Sequence, residues 1–250
     1  MGHDLAKSPR SAHGFCKAGR RTVRQTHSLG AVGFGYRSVT QQRFKTAGLV
    51  LCGGTSTRMG QCKALLNWQG VPLLIHMVRL LKDFGLWPVA VSAALDQELP
   101  ELPTETLVFR DRLAFQGPMT GIVSGLSGLA PLADRAFVAA CDMPLLQKSL
   151  VDLLVNQLGD AIVPQADGHL QPLLALYGTR LGNVARDLQL AGFNSPMQFL
   201  DAVQPVIVSE KRIRAVDPAM VSFVNCNTPE SYAAALDRYT VLKSDTTVNY

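Results

Sequence analysis

The chain has 250 residues, 47% hydrophobic and 17% charged, the balance of an ordinary globular protein with one sizeable core. No apolar run reaches the roughly 18 residues needed to span a bilayer, which excludes a helical membrane protein. The formal charge of +5 is unevenly shared: residues 1–45 carry nine Lys/Arg against Asp4 alone, net +8, whereas residues 46–250 carry 15 against 18 acids, net −3. A basic globular surface for DNA or RNA is therefore excluded.

Residues 1–45, with Arg20, Arg21, Arg24, Ser28, Gly30, Gly33 and Gly35, show no sustained apolar periodicity and read as a disordered basic extension. The segment has no secretory h-region, and its Arg-rich, acid-poor character comes without the amphipathic helix of a transit peptide. The domain proper is expected over residues 46–250. Five cysteines, Cys16, Cys52, Cys62, Cys141 and Cys226, form no C-x-x-C and are odd in number. That argues against a zinc site and a disulfide framework and points to a reducing, cytoplasmic compartment.

The first element is an apolar strand from Thr46 that runs into Leu51-Cys52-Gly53-Gly54-Thr55-Ser56-Thr57-Arg58-Met59-Gly60-Gln61-Cys62-Lys63, with helix-forming Ala64-Leu65-Leu66 behind it. Gly53, Gly54 and Gly60 allow a tight loop whose N–H groups approach an anion, and Arg58 and Lys63 add a guanidinium fork and a mobile point charge. A nucleoside triphosphate is the ligand that such a strand, loop and cation pair suits. The spacing matches neither G-x-x-x-x-G-K-[ST] nor G-x-G-x-x-G, so both common phosphate loops are excluded. A paired glycine after a strand can also be a simple tight turn, and the later motifs decide.

A crossover helix is expected over Pro72–Gly85, with Pro in the first turn and Gly at the stop. Within it His76 is assigned no role. Strands are expected at Trp87–Ser92 and Thr106–Phe109, followed by Asp111 and a glycine-rich helix from Gly117 through Leu129. In that helix Gly121, Ser124, Gly125 and Gly128 permit close approach, either to the sheet or to a ligand. Ala136–Cys141 reads as a central strand buried on both faces and ends in Asp142-Met143-Pro144. A carboxylate at the carboxyl end of such a strand projects into the ligand crevice of a parallel sheet, although Asp also caps helices well, here one from Leu145 to Leu158. Strands at Ala161–Pro164 and Leu173–Tyr177 flank a turn at residues 166–169. Helices near 180–190 and 193–203, strands at Val206–Val208 and Ser222–Val224, and a last helix from Thr228 to about Tyr239 complete the chain. Alternating strands and helices predict an α/β fold with a mostly parallel sheet.

Five ordered motifs, Leu51 to Gly60 with Lys63, Gly70-Val71-Pro72-Leu73-Leu74, Gly117 to Ile122, Cys141-Asp142-Met143-Pro144 and Asn225-Cys226-Asn227-Thr228-Pro229-Glu230, resemble those of the molybdenum cofactor guanylyltransferases. The resemblance runs from about residue 46 to 240 and implies a Rossmann-like three-layer α/β/α sandwich. It implies Mg²⁺-dependent transfer of GMP from GTP to molybdopterin or its molybdenum-loaded form, with release of pyrophosphate and transient contact with other molybdenum cofactor proteins. It also implies that Leu51, Cys52, Gly53, Gly54, Ser92 and Asp111 line the nucleotide site. Arg58 and Lys63 would contact its phosphates, Asp142 would hold Mg²⁺, and Asn225 and Asn227 would lie near the reacting centre. The sequence departs from the pattern at Cys52, where the family often has Ala, at Cys62, where it often has Asp, and at Ser92, where it often has Asn. A cytidylyltransferase of the same fold and a catalytically idle nucleotide-binding protein remain alternatives.

Overall fold

The computed structural model describes residues 44–53, 62–111 and 117–247. The extension up to residue 43 and two expected site residues, Gly54 and Arg58, lie outside these ranges. In chain order the elements begin with β1 (Thr46–Leu51), a 3₁₀ turn (Lys63–Leu65), β2 (Asn67–Trp68), β3 (Val71–Pro72), α1 (Leu73–Asp83), β4 (Val89–Ala94), β5 (Leu107–Asp111), α2 (Pro118–Leu129) and β6 (Arg135–Ala140). There follow α3 (Lys148–Val155), β7 (Ala161–Ala166), β8 (His169–Leu170), β9 (Leu174–Gly178), α4 (Leu181–Leu190), α5 (Pro196–Val203), β10 (Val206–Val208), α6 (Glu210–Arg214), a second 3₁₀ turn (Val221–Phe223) and α7 (Pro229–Thr247).

The main sheet runs β10-β7-β9-β6-β1-β4-β5, with β8 paired to the outer part of β7. Every pairing along this path is parallel except those made by β9, which lies antiparallel to both β6 and β7. The chain moves outward from β1 to β4 and β5, then returns through α2 to β6 on the other side of β1. That reversal opens a crevice at the carboxyl ends of β1 and β6. Alternation within the strands feeds two cores: Val50, Val91, Phe137 and Ala139 pack under α1, α3, α6 and α7, while Leu49, Ala90 and Val138 pack under α2, α4 and α5. This is the expected three-layer sandwich.

Helix α1 follows the predicted stripe, burying Leu73, Leu74, Met77, Val78 and Leu81. In α2 the glycines serve packing. A Cβ on Gly125 would lie 2.3 Å from Leu49 Cδ2 and one on Gly128 would lie 2.4 Å from the Phe109 ring. Both positions therefore bring the helix backbone down onto the sheet rather than onto a ligand.

Several expectations need correction. Ser222–Val224 is not a strand: the Asp217 carboxylate accepts from the amides of Val221 and Ser222, both at 3.0 Å, and winds the segment into a 3₁₀ turn. Instead of a helix starting at Ala64, the residues after Lys63 form one 3₁₀ turn and then a small antiparallel hairpin, β2–β3. That hairpin turns through Gln69 and Gly70, both at positive φ (50° and 87°), the pair that a type I′ connection requires. The helix expected over Leu145–Leu158 is confined to Lys148–Val155, because Leu145 and Leu146 are buried in the turn before it. β7 forms its hairpin with β8, so β9 is free to insert between β7 and β6. At the other end of the domain, Phe44 and Lys45 are tied to the start of β6: the Lys45 carbonyl accepts from Asp134 and Arg135, and the Arg135 guanidinium lies 4.3 Å from the Phe44 ring centroid.

Candidate active site

The carboxyl ends of four adjacent parallel strands, β6, β1, β4 and β5, set the candidate residues in one row. The registers Leu51 with Ala140, Leu51 with Ser92 and Ala94 with Asp111 place Asp142, Gly53, Ser92 and Asp111 along one edge. At about 4.8 Å per strand the row is about 14 Å long.

At one end Lys63 Nζ donates to Asp142 Oδ2 at 2.7 Å and to Asn227 Oδ1 at 2.5 Å. The side chains of Lys63 and Asp142 are 24% and 14% exposed, so the pair is shielded on the protein side and open on the crevice side. Three separate segments make this contact, and each is fixed locally. Asp142 follows β6, whose pairing continues as the Cys141 amide donates to the Leu51 carbonyl at 2.9 Å. Asn227 is held because the Cys226 amide donates to the Asp142 carbonyl at 2.9 Å. Its own amide and that of Thr228 donate to Ser231 Oγ, at 3.0 and 2.9 Å, while the Ser231 amide returns to Thr228 Oγ1 at 3.2 Å. That reciprocal cap, followed by Pro229, starts α7 where the asparagine points at the lysine.

At the other end Asp111 Oδ1 accepts from Ser124 Oγ at 2.5 Å and from Ser92 Oγ at 3.1 Å, and the two hydroxyls lie 2.9 Å apart. Ser92 is fully buried, so it reaches the crevice through Asp111 rather than directly. Gly53 faces the same carboxylate: a Cβ there would lie 3.6 Å from Asp111 Oδ2, in ordinary contact. Leu51 and Cys52 are buried at the end of β1, with the Cys52 amide donating to the Ser92 carbonyl at 2.8 Å. Asn225 is half-buried, two residues before Asn227 and apart from the lysine contact.

The cysteines behave as small buried groups. Cys52, Cys141 and Cys226 are buried and Cys62 is half-buried, all four as free thiols. A hydrogen bond to Cys52 and burial push the Cys141 thiol up, and the same bond holds Cys52 below its ordinary value. Burial, with the Asp142 charge nearby, pushes Cys226 up to about 12.

Sequence reasoning noted Ser124 only for close approach of α2 to the sheet or a ligand and did not single out Gln97. Ser124 carried a readable signal, a hydroxyl one turn beyond Gly121 in α2. Gln97, in the turn after β4, carried none. His76, given no role, makes a hydrogen bond to the Pro144 carbonyl at 2.9 Å and so braces the turn that follows Asp142.

The donor set bears on a metal. Among the described residues no cluster of three or more His, Cys, Asp or Glu is placed to hold one. Asp142 Oδ2 and Asn227 Oδ1 nevertheless reach the same ammonium, so two oxygen donors already converge on one cation. Few protein oxygens beside substrate oxygens and water is the arrangement that Mg²⁺ accepts, and the residues fit it.

The model for the MobA-like NTP transferase domain matches residues 48–206. The chain belongs to this family. A relative from Bacillus cereus (strain Q1), named "Probable molybdenum cofactor guanylyltransferase", is 32% identical over 196 residues, covering 76% of this chain and 96% of the relative. One of the same name from Bacillus mycoides (strain KBAB4) is 31% identical over 197 residues, with the same coverage. Among solved structures, molybdopterin-guanine dinucleotide biosynthesis protein A from Archaeoglobus fulgidus aligns with a TM-score of 0.63 at 22% identity, over 78% of this chain and 98% of that one. The 2-C-methyl-D-erythritol 4-phosphate cytidylyltransferase of Thermus thermophilus aligns with a TM-score of 0.54 at 15% identity, over 77% and 98%. These two structures share the fold.

Proposed function

We propose that this protein is a Mg²⁺-dependent guanylyltransferase that moves GMP from GTP to the terminal phosphate of molybdopterin or its molybdenum-loaded form. The observation that carries the reading is the convergence of Lys63, Asp142 and Asn227 at the crevice edge of the sheet. The names of the relatives support the choice of acceptor and nucleotide.

In the reaction an oxygen of the pterin phosphate attacks the α-phosphorus of GTP. The new P–O bond forms as the bond between the α-phosphorus and its bridging oxygen breaks, and pyrophosphate leaves with the electron pair. The attacking phosphate is already anionic near neutrality, so neither a protein nucleophile nor a general base is required. Positioning and charge stabilisation remain as the work of the side chains. Lys63 presents an ammonium held on its far side by Asp142 and Asn227, which fixes the direction in which it meets a phosphate. Asp142, with Asn227 beside it, would hold Mg²⁺, which would offset repulsion between the two anions and stabilise the departing pyrophosphate. Asp111, seated on Ser92 and Ser124, offers a carboxylate to the nucleoside at the other end of the row.

Pyrophosphate release measured with GTP and with CTP, each with and without molybdopterin, tests the reading. Release that needs molybdopterin and is faster with GTP is expected. Faster release with CTP would replace guanylyl by cytidylyl transfer, and no release with either would leave a nucleotide-binding protein.

A further inference from the structure

Gln97 joins Cys52, at the end of β1, to Cys62, the residue before Lys63. We infer that it is a positioning residue that holds Cys62, and through it Lys63, in place for a nucleoside triphosphate, an inference that rests on the nucleotidyl-transfer reading above. Its Nε2 donates to the Cys52 carbonyl at 3.0 Å and to Cys52 Sγ at 3.3 Å, and lies 3.5 Å from Cys62 Sγ. Its Oε1 accepts from the Ala94 amide at 3.2 Å. A backbone carbonyl only accepts and a backbone amide only donates, so these two partners fix which end of the Gln97 amide faces Cys52.

One side chain thus ties the end of β1 to the residue before Lys63. The turn carrying Gln97 is itself braced from β5, where Arg110 Nη1 donates to the Ala94 carbonyl at 2.8 Å and to the Gln97 carbonyl at 2.6 Å. Sulfur is a weak acceptor, so the Cys62 contact sets direction and the Cys52 carbonyl supplies most of the energy. Lys63 is the next residue after Cys62, and its ammonium must meet Asp142 and Asn227 together. A displaced Cys62 therefore takes Lys63 off both.

A purely local role, closing the turn after β4 through Ala94, is the competing account, and two substitutions separate them. Gln97→Glu keeps an acceptor for the Ala94 amide but loses the donor and sets a carboxylate against the Cys52 carbonyl. Gln97→Met keeps the length of the side chain and loses both. Three readouts on the full chain are compared with wild type: KM and kcat for the nucleotide, the rate of Cys62 alkylation by iodoacetamide followed by mass spectrometry, and Tm.

Both variants are expected to lower kcat/KM for the nucleotide by about tenfold, which is about 1.4 kcal/mol, with kcat falling because Lys63 is shifted, while Cys62 alkylation rises several-fold. If Gln97→Met loses its cooperative melt, Gln97→Glu, with the Ala94 bond intact, carries the test. An active Gln97→Glu enzyme with wild-type kcat/KM overturns the inference, whatever the thiol does. If wild-type protein transfers no nucleotide yet Cys62 alkylation still rises in both variants, the hold of Gln97 on Cys62 stands and the functional reading falls.

Discussion

The seat of Asp111 gives a prediction whose sign follows from counting protons. Each serine hydroxyl has one. Ser124 gives its proton to Asp111 Oδ1 across 2.5 Å, and Ser92 is then the donor either to Asp111 at 3.1 Å or to Ser124 at 2.9 Å. In Ser92→Ala the short Ser124 bond survives, and the loss is one hydrogen bond, about 0.5–1.5 kcal/mol. In Ser124→Ala the Ser92 proton turns wholly to Asp111, so of the roughly 1.5–3 kcal/mol expected for a bond to a carboxylate only part is lost. The double variant leaves the half-buried carboxylate without either donor, and its cost should exceed the sum of the singles by about 0.5–1 kcal/mol. For a domain of this size each kcal/mol lowers Tm by about 2–4 °C, so scanning calorimetry resolves the coupling. The GTP KM should rise in the same order, single variants before double. Additive or sub-additive losses would mean that the two hydroxyls do not share Asp111, and the proposed support for the nucleoside end of the site would fail.

Asp142→Asn and Lys63→Ala should each lower kcat by about 10²- to 10³-fold with little loss of Tm, and near-normal turnover at saturating Mg²⁺ would remove either from the site. Burial pushes the His76 imidazole pKa down, so the neutral ring belongs to the fold, while the unfolded chain titrates near 6.5. Below that pH the unfolded state binds more protons, and Tm should fall as pH drops from about 6.5 towards the lowered folded value. His76→Phe should flatten that part of the pH profile. A Cβ on Gly182 would stand 2.8 Å from the Ser127 amide nitrogen where α4 crosses α2. Gly182→Ala should therefore cost about 1–3 kcal/mol in urea unfolding while leaving the crevice residues in place, and an unchanged midpoint would contradict that packing.

The parallel part of the fold was legible because its signals are local. Apolar runs buried on both faces, a helical stripe bounded by Pro72 and Gly85, and a carboxylate after a central strand each announce themselves in a few residues. The errors lie where a long-range or capping contact overrides the local pattern. Ser222–Val224 has a strand's composition, but the Asp217 carboxylate captures its amides. The place of β9 between β6 and β7 depends on a short hairpin beyond β7, and apolar alternation says nothing of partner or direction. At the site, Lys63, Asp142 and Asn227 stand out as motif residues and do meet. The role of Ser92 was readable only in part, since its distance from the crevice depends on Ser124 in another element. Gln97 was not readable at all, because its meaning comes from two backbone groups and two thiols that only the fold brings to it.

The central claim is that these strand ends join a GMP unit to a pterin phosphate. Supplying GTP labelled at the α-phosphorus together with Mg²⁺ and molybdopterin, and following the label by chromatography and mass spectrometry, tests it most directly. The label should appear in a pterin guanine dinucleotide, mole for mole with released pyrophosphate, and should fail to do so in Asp142→Asn. Label that stays in GTP, is released as free GMP, or enters the pterin faster when the donor is CTP would contradict it.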